Sequence, residues 1–285
     1  MRYSCLHTHT VFCDGNDDVE TYCRAAYDKR LFAIGFSAHA PITRKTGWTS
    51  DWHLPDERLH EYLDALHEAR RRWEGKLRVF IGLEIDFIDG LMGPADRDYR
   101  EMGLDYCIGS THYLLPPHGA PFAVDGSPES FETGLREGFS NDIDALVNAY
   151  WDNEEAMIRA GGFDILGHID LIKKNNANER WFSPESEMYR ARLVRVAECV
   201  AQSRVPAVEV NTGGLNRGKT RETYPSLPLL TLLRARNVPA IITADAHRAC
   251  HLDGHYETAL ATLLRAGYSD TVLYFDKTPV MEPLR

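Results

Sequence analysis

The chain has 285 residues, 44% of them hydrophobic, with a formal net charge of -10. That length suits one large domain or two small ones with a full apolar core. The acidic balance and the lack of a long basic run exclude nucleic acid as a main partner, since such binding rests on neutralising phosphates. No signal peptide and no membrane-spanning run is seen, so a cytoplasmic protein with no membrane partner is expected. Cysteines at 5, 13, 23, 107, 199 and 250 form no Cys-x-x-Cys pair. They read as thiols of a reducing compartment, not as a zinc ribbon or a redox pair.

Apolar runs alternate with helical patterns along the chain. The first strand, Tyr3–Leu6, leads to His7-Thr8-His9. Residues two apart on extended chain point the same way, so both imidazoles can face one ion. A helix over Val19–Lys29 follows, and strand Phe32–Phe36 then runs into His39. After a helix over Asp56–Trp73, strand Val79–Ile85 carries Glu84 and leads to Asp86. Strand Tyr106–Ser110 leads to His112. Residues 113–140, rich in Pro, Gly and Asp, read as a long loop or lid within a single domain spanning 1–285. Phe122, Asp125 and Phe131 in that segment are candidates to close over a substrate.

Helix Asn141–Ile158 precedes strand Ile165–Gly167, which leads to His168 and Asp170. Helix Glu185–Gln202 precedes strand Ala207–Val210, with Glu209 and Asn211 at its end. Helix Pro228–Arg236 precedes strand Ala240–Thr243, which runs into Asp245 and His247. Helix Tyr256–Ala266 and strand Val272–Phe275 complete the alternation. Such a chain builds a mainly parallel sheet, long enough to close as an α/β barrel. In a barrel these strand ends gather on one face, where sites are built. Imidazoles and carboxylates repeated there point to zinc, iron or manganese. His53, His60, His67 and His118 lie on a helical segment or in polar loops and read as surface or hydrogen-bonded side chains. His251 and His255 stay open.

His7-Thr8-His9 with Cys13-Asp14-Gly15, Ser37-Ala38-His39-Ala40-Pro41, Gly82-Leu83-Glu84-Ile85-Asp86, Gly167-His168-Ile169-Asp170 and Ala244-Asp245-Ala246-His247 resemble the polymerase-and-histidinol-phosphatase (PHP) superfamily. Glu209–Leu215 and the stand-alone length resemble its histidinol-phosphate phosphatase branch. The resemblance implies a distorted (β/α)7 barrel with three divalent metal ions. One would take His7, His9, Glu84 and Asp245. Another would take His39, His247 and Asp14. The third would take His112 and His168, with Glu84 bridging. Asp86, Asp170 and Glu209 would orient those ligands.

The implied activity is hydrolysis of L-histidinol phosphate to L-histidinol and phosphate in histidine biosynthesis, by direct attack of a metal-bound hydroxide. Asp14, Glu84, Asp245 and His247 would be its catalytic residues, and the proton donor to the leaving alcohol stays open between Asp14 and a water. Family resemblance also suggests cationic phosphate contacts from Arg217, Lys173 and Lys174; an arginine grips phosphate bidentately. The alternatives are another PHP phosphoesterase acting on a nucleotide or sugar phosphate, then a metal-dependent amidohydrolase. Gly213–Thr220 also matches the nucleotide-binding pattern G-x-x-x-x-G-K-[ST]. Pro225 and Pro228 interrupt the helix such a loop should open, and the histidines would go unexplained. Oligomeric state is not readable.

Overall fold

The computed structural model describes residues 1–284. Its strands in chain order are β1 (Ser4–Cys5), β2 (Ala33–His39), β3 (Arg78–Asp86), β4 (Tyr106–Ser110), β5 (Tyr113–Leu114), β6 (Phe122–Ala123), β7 (Ile165–Leu166), β8 (Ala207–Asn211), β9 (Ala240–Thr243), β10 (Asp270–Asp276) and β11 (Thr278–Pro283). Nine form one sheet in the order β1-β2-β3-β4-β7-β8-β9-β10-β11. Every neighbouring pair is parallel except β10–β11. The expected strands are all present, with β1 and β7 only two residues long.

The ladder itself stays open. A single parallel bridge, Thr8 to Ala246, draws the end of the chain after β1 against the end after β9. The His9 N–H donates to the Ala246 carbonyl at 2.9 Å, and the Ala246 N–H to the His7 carbonyl at 3.1 Å. Seven parallel strands thus curl into a distorted barrel, and β10 of the β10–β11 hairpin pairs with β9 and adds Val272 and Phe275 to the apolar cluster inside it.

Period-two alternation sorts β3 into two faces. Val79, Ile81, Leu83 and Ile85 enter the main apolar core under the helices. Gly82, Glu84 and Asp86 face the other way. The small inner core holds Leu6, Tyr106, Ile108, Ile165, Ala207 and Ile241, among others. Tyr106 lies so close to Gly82 that a Cβ there would sit 2.7 Å from its ring. Its hydroxyl donates to the Leu6 carbonyl at 2.6 Å, so the inner core below the site is packed and satisfied.

The six expected helices appear as Val19–Asp28, Leu59–Arg72, Ile143–Ala160, Glu187–Gln202, Leu227–Ala235 and Tyr256–Ala266. The 113–140 segment differs from the expected loop. It holds the β5–β6 hairpin and a twelve-residue helix, Pro128–Phe139. Ser127 caps that helix by accepting from the Ser130 N–H at 3.2 Å, and Pro128 opens its first turn. Phe131, Leu135 and Phe139 recur at helical spacing and are buried. Gly134 and Gly138 gave the segment its turn-like composition. They lie on the packed face, where Phe122 and Pro116 leave no room for a Cβ.

Candidate metal centre

The strand ends deliver all the expected ligands to one place. Glu84 is the hub, 1% exposed. Its Oε2 lies 3.0 Å from His7 Nε2, 3.0 Å from His39 Nδ1 and 3.4 Å from His9 Nε2. Its Oε1 lies 2.9 Å from His168 Nε2 and 3.6 Å from His112 Nε2, and accepts from the Ser110 hydroxyl at 2.6 Å. One carboxylate thus divides two groups of imidazoles between its two oxygens. Asp245 Oδ1 lies 3.3 Å from His9 Nε2 and 3.8 Å from His7 Nε2. Asp14 Oδ2 lies 2.9 Å from His247 Nε2, and its Oδ1 3.6 Å from His9 Nδ1 and 3.8 Å from His39 Nε2.

Several of these sets can converge on a cation. His9, Asp14, His39 and His247 form one; His7, Glu84 and His168 another; His7, His9 and Asp245 a third. His39, Asp86 and His112 also converge. The decisive observation is what goes unpaired. His9 Nε2, Asp14 Oδ1 and His39 Nδ1 are buried and make no aligned hydrogen bond, although each lies within 4 Å of an oppositely polarised group. An unsatisfied buried polar atom costs free energy, and three clustered among carboxylates fit divalent cations. The donor set, imidazole nitrogen with carboxylate oxygen, suits zinc, iron or manganese.

Charge within the cluster is divided. Burial pushes the Glu84 carboxyl up, but His7, His39 and His112 hold it well below the usual carboxylate range. Asp14 likewise is raised by burial and overcome by His39, His247 and His9, so it stays ionised. Burial lowers His39 well below the usual imidazole range. Burial also opposes charge on His112, yet Asp86 and Glu84 carry it up to about 10. A metal entering here must displace imidazole protons.

A second layer orients the rings. His7 Nδ1 meets Glu209 Oε1 at 2.5 Å, and Glu209 also accepts from the His168 N–H at 2.8 Å. His112 Nδ1 lies 2.8 Å from Asp86 Oδ1. Asp86 Oδ2 takes His53 Nε2 at 2.7 Å. His53 is therefore the hydrogen-bonded alternative of its expected reading, buried behind the site. Asp170 differs from expectation. It accepts from the Ser226 N–H at 2.7 Å and pairs with Lys173, away from the imidazoles.

The cationic candidates separate. Arg217 Nη2 pairs with Asp245 Oδ2 at 2.9 Å, and its Nη1 donates to His247 Nδ1 at 2.7 Å. Lys174 lines the cavity beside the cluster, about 300 Å³ in volume, where its Nζ meets Asp125 Oδ2 at 2.7 Å. Lys173 turns off this wall to Glu222 at 3.0 Å and the Thr223 carbonyl at 2.8 Å, and lines a different cavity. Phe122 and Phe131 are buried in the hairpin–helix core, so only Asp125 of that expected trio faces the site. A second opening of about 430 Å³ shares Asp14, Arg217 and His247, and adds Asn16, Lys219, Arg248 and His251.

The nucleotide-loop pattern dissolves in the fold. Gly213–Asn216 forms one helical turn, and the next helix starts at Leu227, well past Lys219. A Cβ on Gly213 would lie 2.7 Å from Asp245 Oδ2, so this glycine serves close packing against the cluster.

The profile of the PHP domain matches residues 6–213. The chain belongs to the PHP family. Among curated proteins it is 28% identical over 262 residues, 92% of each chain, to a Deinococcus radiodurans protein assigned as a histidinol-phosphatase. It is 24% identical to the histidinol-phosphatase of Bacillus subtilis, over 89% of this chain and 97% of that one. Among solved structures, a Listeria monocytogenes protein assigned as a histidinol phosphatase superposes with a TM-score of 0.79 at 24% identity, covering 90% of this chain and 99% of that one. The Lactococcus lactis histidinol phosphate phosphatase, solved with zinc, L-histidinol and phosphate, gives 0.71 at 18% identity, covering 98% and 99%. These superpositions accord with the distorted PHP barrel.

Proposed function

We propose that this PHP protein is a trinuclear-metal phosphomonoesterase that hydrolyses L-histidinol phosphate to L-histidinol and phosphate, in histidine biosynthesis. The observation that carries the chemistry is Glu84, with a group of imidazoles at each oxygen. The substrate follows from likeness to histidinol-phosphatases along nearly the whole chain. His7, His9, Glu84 and Asp245 would hold one ion. His39, His247 and Asp14 would hold a second, and His112, His168 and Glu84 a third. Divalent ions there would supply Lewis-acid charge to the phosphate and lower the pKa of water towards neutrality.

The chain's own groups do the rest. Three carboxylates against three divalent charges leave a cationic site that suits a phosphate dianion. Asp14, kept ionised, serves as an anionic ligand and a poor proton donor to the leaving alcohol. Glu209 and Asp86 fix the rings of His7 and His112. Arg217 holds Asp245 and His247 in place and stands at the wall shared by both openings, where it can meet phosphate oxygens.

A cytoplasmic setting agrees with six free cysteines and with the lack, among the described residues, of any helix long and apolar enough to cross a membrane. The partner expected is a small phosphate monoester, not nucleic acid. A second reading, a nucleotide or sugar phosphate, draws on the basic opening at Lys219 and Arg248. A phosphate-release screen of metal-loaded and chelated protein separates them. L-histidinol phosphate should give the highest kcat/KM, and chelation should abolish release. Preference for a sugar or nucleotide phosphate would overturn the substrate. Amide hydrolysis with one metal per chain would overturn the chemistry.

A further inference from the structure

Four carboxylates line the cavity beside the metal centre: Asp14, Glu84, Asp245 and Asp125. The first three sit within 4 Å of imidazoles. Asp125 does not belong to those sets, and its one direct partner among the described residues is Lys174. A further negative charge in a phosphate cavity repels the substrate's dianion. Lys174 offsets that charge at one oxygen only, which leaves the other free to take a cationic group of the substrate.

The carboxylate is also held by design of the backbone around it. The Val124 N–H donates to the His112 carbonyl at 2.8 Å, tying this segment to a proposed ligand. Asn175 Nδ2 donates to the carbonyls of Val124 and Gly126, on either side of Asp125, at 3.0 and 3.1 Å. Lys174, the neighbour of Asn175, takes only Oδ2. Oδ1 accepts no hydrogen bond among the described residues, and the side chain remains 22% exposed. Trp52 lines the same cavity.

We propose that Asp125 is the specificity-determining residue for the leaving alcohol, taking a substrate ammonium group through Oδ1 while Oδ2 stays on Lys174. The ligand class is an aminoalkyl phosphate. The inference rests on the phosphomonoesterase reading above but not on histidinol itself.

The test compares two substrate pairs that differ only in the amine: L-histidinol phosphate against 3-(imidazol-4-yl)propyl phosphate, and O-phosphoethanolamine against ethyl phosphate. Wild-type protein should prefer the amine-bearing member of each pair. Asp125→Asn keeps an acceptor but loses the charge. It should lower the preference ratio in kcat/KM by about tenfold or more, chiefly through KM, with metal content unchanged. Asp125→Glu should restore part of the ratio. If Asp125→Asn slows both members equally, the residue merely anchors Lys174 and the proposal falls. If the ethanolamine pair responds while histidinol phosphate is a poor substrate, the proposal stands and the histidinol reading falls. If no phosphate is released from any of the four, both fall.

Discussion

The two openings of the metal centre share Asp14, Arg217 and His247 but diverge beyond them. One is walled by Trp52, Leu171 and the Asp125–Lys174 ion pair, and so offers an aromatic side chain, an apolar patch and both signs of charge. The other adds Lys219, Arg248 and His251, and no carboxylate besides Asp14. On the proposal for Asp125, a zwitterionic amino-alcohol phosphate would be sorted to the first by its ammonium, which the second would repel. The basic opening instead suits an anion alone, arriving or departing as phosphate. On that proposal, substrate choice would depend on the walls around the metal centre.

The largest expected effect removes what both openings share. Glu84→Gln should lower kcat on every phosphomonoester by about 10³-fold or more, with a matching loss of metal by elemental analysis. Retained metal and turnover would leave the comparison without its centre. The amine-preference ratio of Asp125→Asn comes next and bears on the first wall alone. Against it stands the double variant Lys219→Met/Arg248→Met. Its kcat/KM on L-histidinol phosphate should fall less than about tenfold, with a weaker dependence on salt, because exposed charges act mainly at long range. A larger loss than Asp125→Asn would move the alcohol to the basic side.

The smallest effect lies behind the first wall. Glu154 is buried against Tyr150, whose hydroxyl donates to it at 3.0 Å. Burial raises its carboxyl to about 8 from the ordinary 4.5. The folded state therefore binds this proton more tightly than the unfolded chain does. Its stabilisation is complete below the ordinary carboxyl range and is lost as pH rises through about 8. Glu154→Gln should unfold at a higher temperature than wild type at pH 9, by the equivalent of about 1–3 kcal/mol, and differ little at pH 5. Equal melting curves at both values would show that Glu154 is solvated.

The barrel and its ligand face were legible because strand ends carry both signals at once, an apolar run and then His, Asp or Glu. Glu84 was visible for this reason, as were His168 and Asp245. The helix at Pro128–Phe139 was hidden by Gly134 and Gly138, whose role is close packing against Phe122 and Pro116. The partner of His53 was hidden because this loop residue meets Asp86, at the end of β3, far along the chain. Lys173 and Lys174 were indistinguishable in sequence. A tight 3-10 turn over Leu171–Asn175 sends one to Glu222 and the other to Asp125. Such choices of direction in short turns depend on tertiary partners and leave no periodic trace.

The most direct test is a crystal structure of the zinc-loaded protein with L-histidinol and phosphate, with anomalous scattering to place the ions. The account predicts three metal peaks around Glu84, phosphate among them, and the histidinol ammonium on Asp125 Oδ1 beside Trp52. Histidinol lying against Lys219 and Arg248, or a single metal away from Glu84, would contradict it.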